Sequence, residues 1–309
     1  MGRPAETSCY ELGALRNTPE INIEQNETKM PSKKHSRRQL EAAANREAWS
    51  PLQADLAARR ERMEAMGGPD RVEKYLHARG KLDARQRLDA LFDPGSFREI
   101  GKLVENFTGI PAEGFVCGSG KVNGRTVMAG AEDFSVLGGS IGSGGTAKRF
   151  RIAELAAQEQ VPLVMALEGA GHRLTETSMG RAPNDLLALA DLSGQVPMVC
   201  LVLGASAGHG ALAAPLSDFV IMTQSASMFT GGPPLVKAAT GEDVTKEELG
   251  GARICTELAG SAHNVARTTA RPWPWPANTW ATSRNTPGAP CPLASSATSG
   301  RARSRISSR

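Results

Sequence analysis

Two glycine-rich turns carry the chemistry that this sequence best supports. The apolar run Val161–Leu167 leads into Glu168-Gly169-Ala170-Gly171, and the apolar run Val196–Leu203 leads into the segment 204–210. Continuous apolar runs bounded by glycine predict strands that are buried on both faces. A strand that enters a helix through glycines leaves free backbone N–H groups, which can hold an anion or a developing oxyanion. The pattern therefore predicts a site built mainly from backbone amides.

A serine offers a different chemistry at the second turn. Gly204-Ala205-Ser206-Ala207-Gly208 matches the G-x-S-x-G nucleophile elbow of hydrolases and lies between a predicted strand and a predicted helix. The chain order also permits a triad of Ser206, either Asp218 or Asp243, and His263. The alternative is that Ser206 is a small residue where a helix and a strand pack closely.

Titratable side chains flank the same turns. Glu168 and Asp133 end predicted strands, where a carboxylate serves either as a general base or as a helix cap or ion-pair partner. His172 and His209 each follow a glycine turn, where the alternative to a functional histidine is a structural one. The sequence pattern leaves both interpretations open for each residue.

A third glycine-rich loop, residues 133–145, precedes a predicted helix, and this context favours contact with a phosphate. Lys148, Arg149 and Arg151 are then either phosphate ligands or the exposed face of that helix. The loop differs from a Walker P-loop, because no Gly-Lys-Ser/Thr follows at the required spacing.

The surrounding pattern predicts the elements that position these turns. Residues 46–92 have a helical pattern with a stop at Gly67-Gly68. Asn123-Gly124 separates two strand-like runs and suits a two-residue type I′ hairpin loop. Further helices are predicted over residues 146–160 and 235–239.

The composition excludes several classes of protein. The five cysteines are scattered without a C-x-x-C pair, which argues for a cytoplasmic location and against a disulfide or zinc framework. The dispersed histidines predict no metal site. No apolar run approaches the ~20 residues of a membrane span, and the N-terminus lacks the apolar core of a signal peptide.

The two ends of the chain differ from its middle. The formal net charge is +4, but residues 267–309 hold seven Arg and no acidic residue. The net charge of the preceding residues is therefore negative. The overall charge thus does not imply nucleic-acid binding. This segment is rich in Pro, Ser and Thr and predicts a disordered tail, which we interpret as a frameshift near Ala266; a basic RNA-binding tail is the alternative. Residues 1–45 predict a disordered or misassigned N-terminal extension.

Successive motifs resemble the carboxyltransferase (β) subunit of biotin-dependent acyl-CoA carboxylases, of the propionyl-CoA and methylcrotonyl-CoA type. In chain order they are His77–Arg85, Asp93–Phe97, Asp133–Ser140, Glu168–Arg173, Gly204–Pro215 and Glu242–Ala252. They cover residues 50–266 approximately, in the order and spacing of the family. Such ordered co-occurrence is more specific than any one of the motifs.

The resemblance implies a fold, ligands and partners. The fold is α/β and crotonase-like (ClpP/crotonase), a spiral of ββα units with additional N-terminal helices. Residues 46–266 would form the N-terminal, acyl-CoA-binding domain of a carboxyltransferase in fatty acid or propionate metabolism. The implied carboxyl donor is carboxybiotin on a partner carrier domain. The implied partners are the biotin carboxylase/biotin carrier (α) subunit and further copies of the β subunit, with no nucleic acid and no membrane.

The resemblance also implies roles for residues. The backbone of Gly169, Ala170 and Gly171 takes the catalytic, oxyanion-binding position, with Ala170 where the family has glycine; alanine keeps the N–H but restricts φ. No side-chain base is implied. The residues implied to contact CoA or the cofactor are Arg79, Lys81, Gly138, Gly139, Ser140, Lys148, Gly204, Ala207 and Gly208.

Three alternatives remain besides carboxyl transfer. They are a decarboxylase or hydratase on the same fold, a non-catalytic CoA-binding subunit, and the Ser206 hydrolase. Because residues 267–309 are interpreted as out of frame, we expect a truncated chain that binds acyl-CoA weakly and does not complete carboxyl transfer alone.

Overall fold

The computed structural model describes residues 33–104, 109–173 and 184–267. The predictions for residues 1–32 and for the tail beyond Arg267 lie outside the described residues. The chain divides into two units, residues 1–53 and 54–309, and the first helix crosses this division. All contacts described below belong to the second unit.

The described residues contain α-helices, short 3₁₀ and π turns, and strands. The α-helices are α1 (Lys33–Glu64), α2 (Pro69–Tyr75), α3 (Ala84–Leu91), α4 (Ser143–Glu159), α5 (Asp185–Asp191), α6 (Gly208–Ala211), α7 (Pro233–Thr240) and α8 (Lys246–Gly250). The shorter helical turns are His77–Arg79, Pro111–Gly114, Leu137–Gly139 and Ile254–Leu258. The strands are β1 (Arg98–Ile100), β2 (Phe115–Val122), β3 (Arg125–Glu132), β4 (Leu163–Gly169), β5 (Met198–Ala207), β6 (Phe219–Thr223), β7 (Ser227–Phe229) and β8 (Asn264–Ala266).

Helix α1 begins at Lys33, earlier than residue 46, where the helical pattern of the sequence starts. Residues 37–50 of this helix are all exposed, and a helix segment that buries no apolar stripe leaves no clear periodic signal. Pro51 lies inside the helix, although proline removes a backbone donor there. The helix ends at Glu64, just before the predicted stop at Gly67-Gly68.

The strands form one mixed sheet in the order β1-β2-β3-β4-β5-β6-β8, with β7 paired to β5. β1, β2 and β3 pair in antiparallel fashion, and all later pairs are parallel. Because β3, β4 and β5 are parallel neighbours, their carboxyl ends and the loops that follow lie at one edge of the sheet.

The predicted hairpin is confirmed. Val122 pairs with Arg125, so Asn123 and Gly124 form a two-residue loop in which φ is 51° and 78°, respectively. Two positive φ values are what a type I′ turn requires. The carboxylate of Asp93 accepts both N–H groups of this loop, at 3.0 and 2.8 Å.

The predicted burial of the apolar runs is also confirmed, because every residue of β4 is buried and alternate side chains enter two cores. Leu163, Met165 and Leu167 pack in the core that α4 and α5 cover. Val164 and Ala166 pack in the core on the opposite face, which contains residues of α3. Burial of each larger aliphatic side chain contributes about 1.5–3 kcal/mol, so the sheet is a rigid support for the loops at its edge.

Within the described ranges, no helix has the length and the apolar character that a membrane crossing would require.

Candidate active site

Three glycine-containing turns meet at the carboxyl edge of β3, β4 and β5. We call them together the glycine-turn site: residues 138–140, 169–171 and 207–208. A Cβ atom placed on Gly139 would overlap the carbonyl of Glu168, and one placed on Gly171 would lie 2.7 Å from the carbonyl oxygen of Ala207. The backbones therefore approach more closely than side chains allow. The structure brings together the predicted catalytic bend and most of the predicted CoA-contacting glycines.

One of the two amides predicted to bind the oxyanion is already occupied. The Ala170 N–H donates to the carbonyl of Gly138 at 2.9 Å. This bond ties the bend after β4 to the turn after β3 and removes the Ala170 amide from the predicted donor pair. The correction has a simple cause: two neighbouring turns satisfy each other's backbone groups, as buried backbone generally does.

The Gly171 amide is different. Gly171 is buried at a φ of 85°, and its N–H has no acceptor within hydrogen-bonding reach among residues 33–104, 109–173 and 184–267. Its carbonyl is used, because it accepts from the Ile141 N–H at 2.8 Å. The flanking Ala170 and His172 are exposed, so the bend reaches the surface. A buried donor without a partner is rare in proteins and marks a position for a ligand.

Glu168 does not act as a free carboxylate. It is 2% exposed, and both of its oxygens are in ion pairs, Oε1 with Lys81 and Oε2 with Arg87. Gly204 leaves room for this carboxylate, since a Cβ there would overlap Oε1. Lys81 and Gly204, both predicted to contact the cofactor, therefore position Glu168 beneath the bend, and the general-base interpretation of Glu168 is replaced by a structural one.

Asp133, the other carboxylate considered as a base, is also structural. It is fully buried and accepts the N–H groups of Ser135 at 2.9 Å and Ala84 at 3.3 Å. These bonds connect the loop after β3 to the start of α3.

The cations of α4 are not a phosphate site. Lys148 is 3% exposed, and its ammonium donates to the carbonyls of Ala112 and Phe115. Burial lowers the pKa of Lys148. Arg151 is exposed and pairs with Glu154. The sequence could not predict this, because both the buried face and the exposed face of α4 carry basic side chains. The helical period alone therefore does not show which of them reach the surface.

Ser140 is nearly buried and accepts from Arg173: its Oγ takes the Nε–H at 3.3 Å and its carbonyl takes an Nη2–H at 3.0 Å. Arg173 also pairs with Glu113 at 3.1 Å. Ser140 thus fixes the residues on the far side of the bend, and the structure gives it no open face for a cofactor.

A line of buried charges passes under the glycine-turn site. Glu132 at the end of β3 accepts the Glu168 N–H at 2.8 Å and an Nη1–H of Arg149 at 3.0 Å. Arg149, which is fully buried on α4, also donates through Nε to Asp185 at 2.7 Å. Burial raises the pKa of Glu132 although Arg149 lies beside it.

The line ends on a histidine at the surface. Asp185 Oδ1 lies 2.7 Å from His209 Nε2. Burial acts to raise the pKa of Asp185, but the hydrogen bond from His209 and the charge of Arg149 outweigh it and hold this pKa below its usual value. The ring of His209 also lies edge-on to the ring of His172, with centroids 5.7 Å apart. Both histidines were considered from the sequence, but Asp185 was missed, because nothing in the local pattern of α5 connects it to residue 209.

Arg79 lies in an exposed basic cluster instead of at the turns. Arg71, Lys74 and Arg79 are all exposed and lie 5.8, 5.4 and 6.0 Å from the centroid of the Tyr75 ring. Tyr75 contacts Phe134 edge-on at 6.2 Å, and Phe134 borders Gly138. We call these three cations the Tyr75 cluster. It connects through two aromatic rings to the edge of the glycine-turn site.

The hydrolase alternative has no support in this geometry. Ser206 lies inside β5 and not on a turn, it is fully buried, and its Oγ has no hydrogen-bond partner in the described part of the chain. The ring of His263, the proposed base, accepts the Val220 N–H through Nδ1 at 3.0 Å. An activated serine needs a base within hydrogen-bond reach. The small-residue interpretation of Ser206 is therefore the correct one.

Comparison with known proteins gives a consistent result. The family model described as "Carboxyl transferase domain" matches residues 76–272. The methylmalonyl-CoA carboxyltransferase 12S subunit of Propionibacterium freudenreichii subsp. shermanii is 39% identical over 221 residues, which are 68% of this chain and 42% of that subunit. The human mitochondrial propionyl-CoA carboxylase beta chain is 35% identical over 217 residues, 66% of this chain and 40% of that one.

Solved structures agree with this similarity. A crystal structure of the transcarboxylase 12S hexamer, with methylmalonyl-coenzyme A and methylmalonic acid bound, aligns with a TM-score of 0.64 at 36% identity and covers 72% of this chain and 46% of that one. The beta subunit of P. aeruginosa geranyl-CoA carboxylase aligns with a TM-score of 0.66 at 29% identity, over 74% of this chain and 44% of that one. The chain spans only between 39% and 45% of the length of the curated relatives that it matches.

Proposed function

This chain belongs to the carboxyl transferase domain family, and we propose that it binds an acyl-CoA and stabilises the enolate of its thioester at the glycine-turn site. The observation that carries the proposal is the buried N–H of Gly171 at the meeting point of three turns, which has no acceptor among the residues that the structure describes. The product is an acyl-CoA carboxylated at its α-carbon, with the carboxyl group donated from biotin.

Carboxyl transfer requires the α-carbon of the thioester to become a nucleophile. Loss of the α-proton moves negative charge to the thioester oxygen, and an N–H that is fixed before the reaction stabilises this charge without reorganisation. One such donor contributes about 2.7–4 kcal/mol to the transition state. Gly171 supplies this donor, while the Ala170 N–H holds the bend in place through Gly138. The ion pairs of Glu168 with Lys81 and Arg87 fix the residue at the start of the bend.

The Tyr75 cluster is the proposed site for the phosphates of CoA. Its three cations are exposed, and Arg79 is the one of them that the resemblance predicts to contact CoA. A charge-assisted contact between a guanidinium and a phosphate is stronger than a neutral hydrogen bond. The path from this cluster along Tyr75 and Phe134 to Gly138 would guide the pantetheine arm to Gly171. Lys148 is not part of the proposal, because its ammonium is buried against carbonyls.

The remaining partners follow from the relatives. A relative at 40% identity is named a biotin-dependent acetyl-/propionyl-coenzyme A carboxylase beta5 subunit. Biotin bound by a carrier subunit would supply the carboxyl group, and no described residue is assigned to it. We also propose assembly with other copies of the chain, and a cytoplasmic location, which is supported by the free thiols of Cys117, Cys200 and Cys255.

Decarboxylation is a second candidate, because a relative at 38% identity is named methylmalonyl-CoA decarboxylase subunit alpha. Loss of CO2 from a malonyl-type thioester produces the same enolate and needs the same amide. Turnover of methylmalonyl-CoA by the chain without biotin would distinguish this activity from carboxyl transfer.

The proposal is tested by binding of three CoA compounds to the full chain in calorimetry. They are propionyl-CoA, its thioether analogue without the carbonyl oxygen, and a CoA thioether that carries a nitronate in place of the enolate. We expect the nitronate to bind at least about 100-fold more tightly than the thioether, because a site for a transition state prefers its charged mimic. Equal affinity for the two compounds would show that no amide at this site recognises an enolate.

The phosphate contact has its own pair of variants. Arg79→Ala should weaken binding of all three compounds about tenfold, since a hydrogen bond to a charged group contributes about 1.5–3 kcal/mol. Lys246→Ala, which removes an exposed cation at the start of α8, should leave all three affinities unchanged. If both variants behave alike, the phosphates lie elsewhere. Transfer of a labelled carboxyl group from carboxylated biotin to propionyl-CoA, with and without a carrier subunit, then tests the reaction itself.

A further inference from the structure

The bend that carries the Gly171 amide is bonded to the neighbouring loop on both sides of that amide. The Ala170 N–H donates to the carbonyl of Gly138 at 2.9 Å. The Gly171 carbonyl accepts from the Ile141 N–H at 2.8 Å, and the Arg173 N–H donates to the Ile141 carbonyl, also at 2.8 Å. The bend and the loop therefore run side by side as a short parallel bridge. The direction of the Gly171 N–H thus depends on how firmly the two segments are held together.

The side chain of Arg173 turns back onto the same loop. Its Nη2 donates to the carbonyl of Ser140 at 3.0 Å, and its Nε donates to the Ser140 hydroxyl at 3.3 Å. Its Nη1 lies 3.1 Å from Oε2 of Glu113, which belongs to the helical turn before β2. Both charged side chains are buried, so these bonds form away from water. A planar guanidinium with its donors in a fixed geometry holds two acceptors at a set separation, which an ammonium on a flexible stem does not.

Glu113 is held in an uncommon backbone conformation. The φ angle is 45° at Ala112 and 56° at Glu113, in the left-handed region that residues with a side chain rarely adopt. Gly144 leaves room for this glutamate, since a Cβ there would overlap its Cγ. The Lys148 ammonium donates to the Ala112 carbonyl at 3.0 Å and helps to hold the turn. Strained backbone concentrates at functional sites, and the strain here places a carboxylate against Arg173.

We propose that Arg173 and Glu113 are positioning residues for the amide that binds the enolate. The guanidinium fixes the spacing between the bend and the loop, and the carboxylate fixes the guanidinium. With both in place, the Gly171 N–H points to one position, which the thioester oxygen occupies as it becomes charged. The pair therefore acts on the transition state through the geometry of a donor that is fixed before the reaction. The inference rests on the proposed function, because it needs an enolate at Gly171.

The test compares the affinities of the full chain for the nitronate and thioether compounds in calorimetry. Their ratio reports recognition of the charged oxygen, whereas the thioether affinity alone reports ordinary binding. Arg173→Lys keeps the buried positive charge but cannot hold Ser140 and Glu113 at once. The ratio should fall at least about tenfold with unchanged thioether affinity, because misplacing a group by about 1 Å can cost about 100-fold.

Two variants of Glu113 separate its geometry from its charge. Glu113→Gln keeps an oxygen that accepts from Arg173, and its ratio should stay close to the wild-type value. Glu113→Ala removes this acceptor, and its ratio should fall as it does in Arg173→Lys. Recovery of the ratio by the glutamine variant supports the positioning role, because loss of a buried charge alone would impair both variants. A ratio that falls equally in both would overturn this role for Glu113.

Glu99→Ala is the matched control, because it breaks another ion pair with a buried carboxylate. Glu99 lies on the edge strand β1, which β2 and β3 separate from β4, and it pairs with Arg85 at 2.6 and 3.1 Å. This variant should lose stability in urea and yet keep the wild-type ratio. A ratio that falls as far in Glu99→Ala as in Glu113→Ala would attribute the effect to lost stability and overturn the inference.

The remaining outcomes are distinct. A wild-type chain that binds the two compounds equally well overturns the proposed function and this inference together. A wild-type preference for the nitronate that Arg173→Lys and Glu113→Ala both retain overturns the inference alone. If neither variant folds, Ser140→Ala decides, since it removes only the hydroxyl that accepts from Arg173. The ratio should then fall about threefold, near the lower end of what one hydrogen bond contributes, and an unchanged ratio would overturn the inference.

Discussion

Two strand–turn units of this protein end alike and yet present different groups to the site. β4 leads to Gly171 and His172, and β5 leads to Gly208 and His209, with positive φ at both glycines. Within the described ranges, the first unit offers an amide without an acceptor and an exposed histidine without a carboxylate partner, whereas the second offers a histidine bound to Asp185. The local pattern is the same, so the difference arises from what packs against each turn. The residues that pack against such a turn therefore determine whether it presents a backbone amide or a side chain to the site.

The largest loss of stability is expected from removal of the Asp185 carboxylate, which distinguishes the second strand–turn unit from the first. Asp185→Ala leaves Arg149 and His209 without a shared carboxylate, and loss of one partner from a buried ion pair costs about 3–5 kcal/mol. Unfolding in urea at pH 7 measures the change. Asp191→Ala at the exposed end of the same helix should cost less than about 0.5 kcal/mol. Equal losses in the two variants would mean that the buried ion pairs of Asp185 stabilise the fold no more than an exposed aspartate does.

The next effect compares the two glycines directly. Gly171→Ala combines a strained φ with a Cβ only 2.7 Å from the Ala207 carbonyl, whereas a Cβ on Gly208 meets nothing nearer than 3.7 Å. Strain alone costs about 1–2 kcal/mol, and overpacking adds about 1–3 kcal/mol. We expect Gly171→Ala to lose about 3 kcal/mol and Gly208→Ala about 1 kcal/mol in the free energy of unfolding. A larger loss in Gly208→Ala than in Gly171→Ala would show that the backbone at residue 171 has more room for a side chain than the backbone at residue 208.

Much of this architecture could be predicted from the sequence, for identifiable reasons. The apolar runs and Asn123-Gly124 are local signals, so β4, β5 and the hairpin are confirmed, as is the crotonase-like α/β fold that the resemblance implied. The carboxyltransferase family is confirmed as well. The role of Gly171 stays a prediction from the resemblance, because the local pattern shows only a glycine that follows a strand.

The contacts between distant residues could not be predicted in this way. The bond from Ala170 to Gly138, the burial of the Lys148 ammonium and the partnership of Asp185 with His209 each join segments far apart in the sequence. A pattern with a period of 2 or 3.6 residues describes one element and not the neighbour across the turn. The corrected roles of Ala170 and Lys148 are therefore of one kind, an amide and a side chain whose partners lie on another element.

A third prediction concerns the two histidines and pH. Because the pKa of Asp185 is lowered in the folded state, its contribution to stability is present above the unfolded value of 3.8 and is lost as the pH falls through the folded value. His209→Ala removes a hydrogen bond to this carboxylate and should cost about 1.5–3 kcal/mol at pH 7, with a smaller loss near pH 3. His172→Ala should cost less than about 0.5 kcal/mol at either pH, since the ring is exposed. Urea unfolding of both variants at pH 3 and pH 7 measures the contrast, and a pH-independent loss in His209→Ala would contradict a hydrogen bond to an ionised Asp185.

The smallest effect is expected at Ala170, which directly precedes Gly171 in the bend. Ala170→Gly keeps the N–H that donates to Gly138, and Ala170 is exposed with φ outside the left-handed region. Glycine adds freedom to the unfolded chain and should lower the free energy of unfolding by about 0.4–1 kcal/mol. Because Gly171 and not Ala170 is the proposed donor, the ratio of the affinities for the nitronate and thioether analogues should stay the same. A change in that ratio of more than tenfold would contradict this prediction, because it would mean that the side chain of Ala170 holds the bend in the geometry that recognises the enolate.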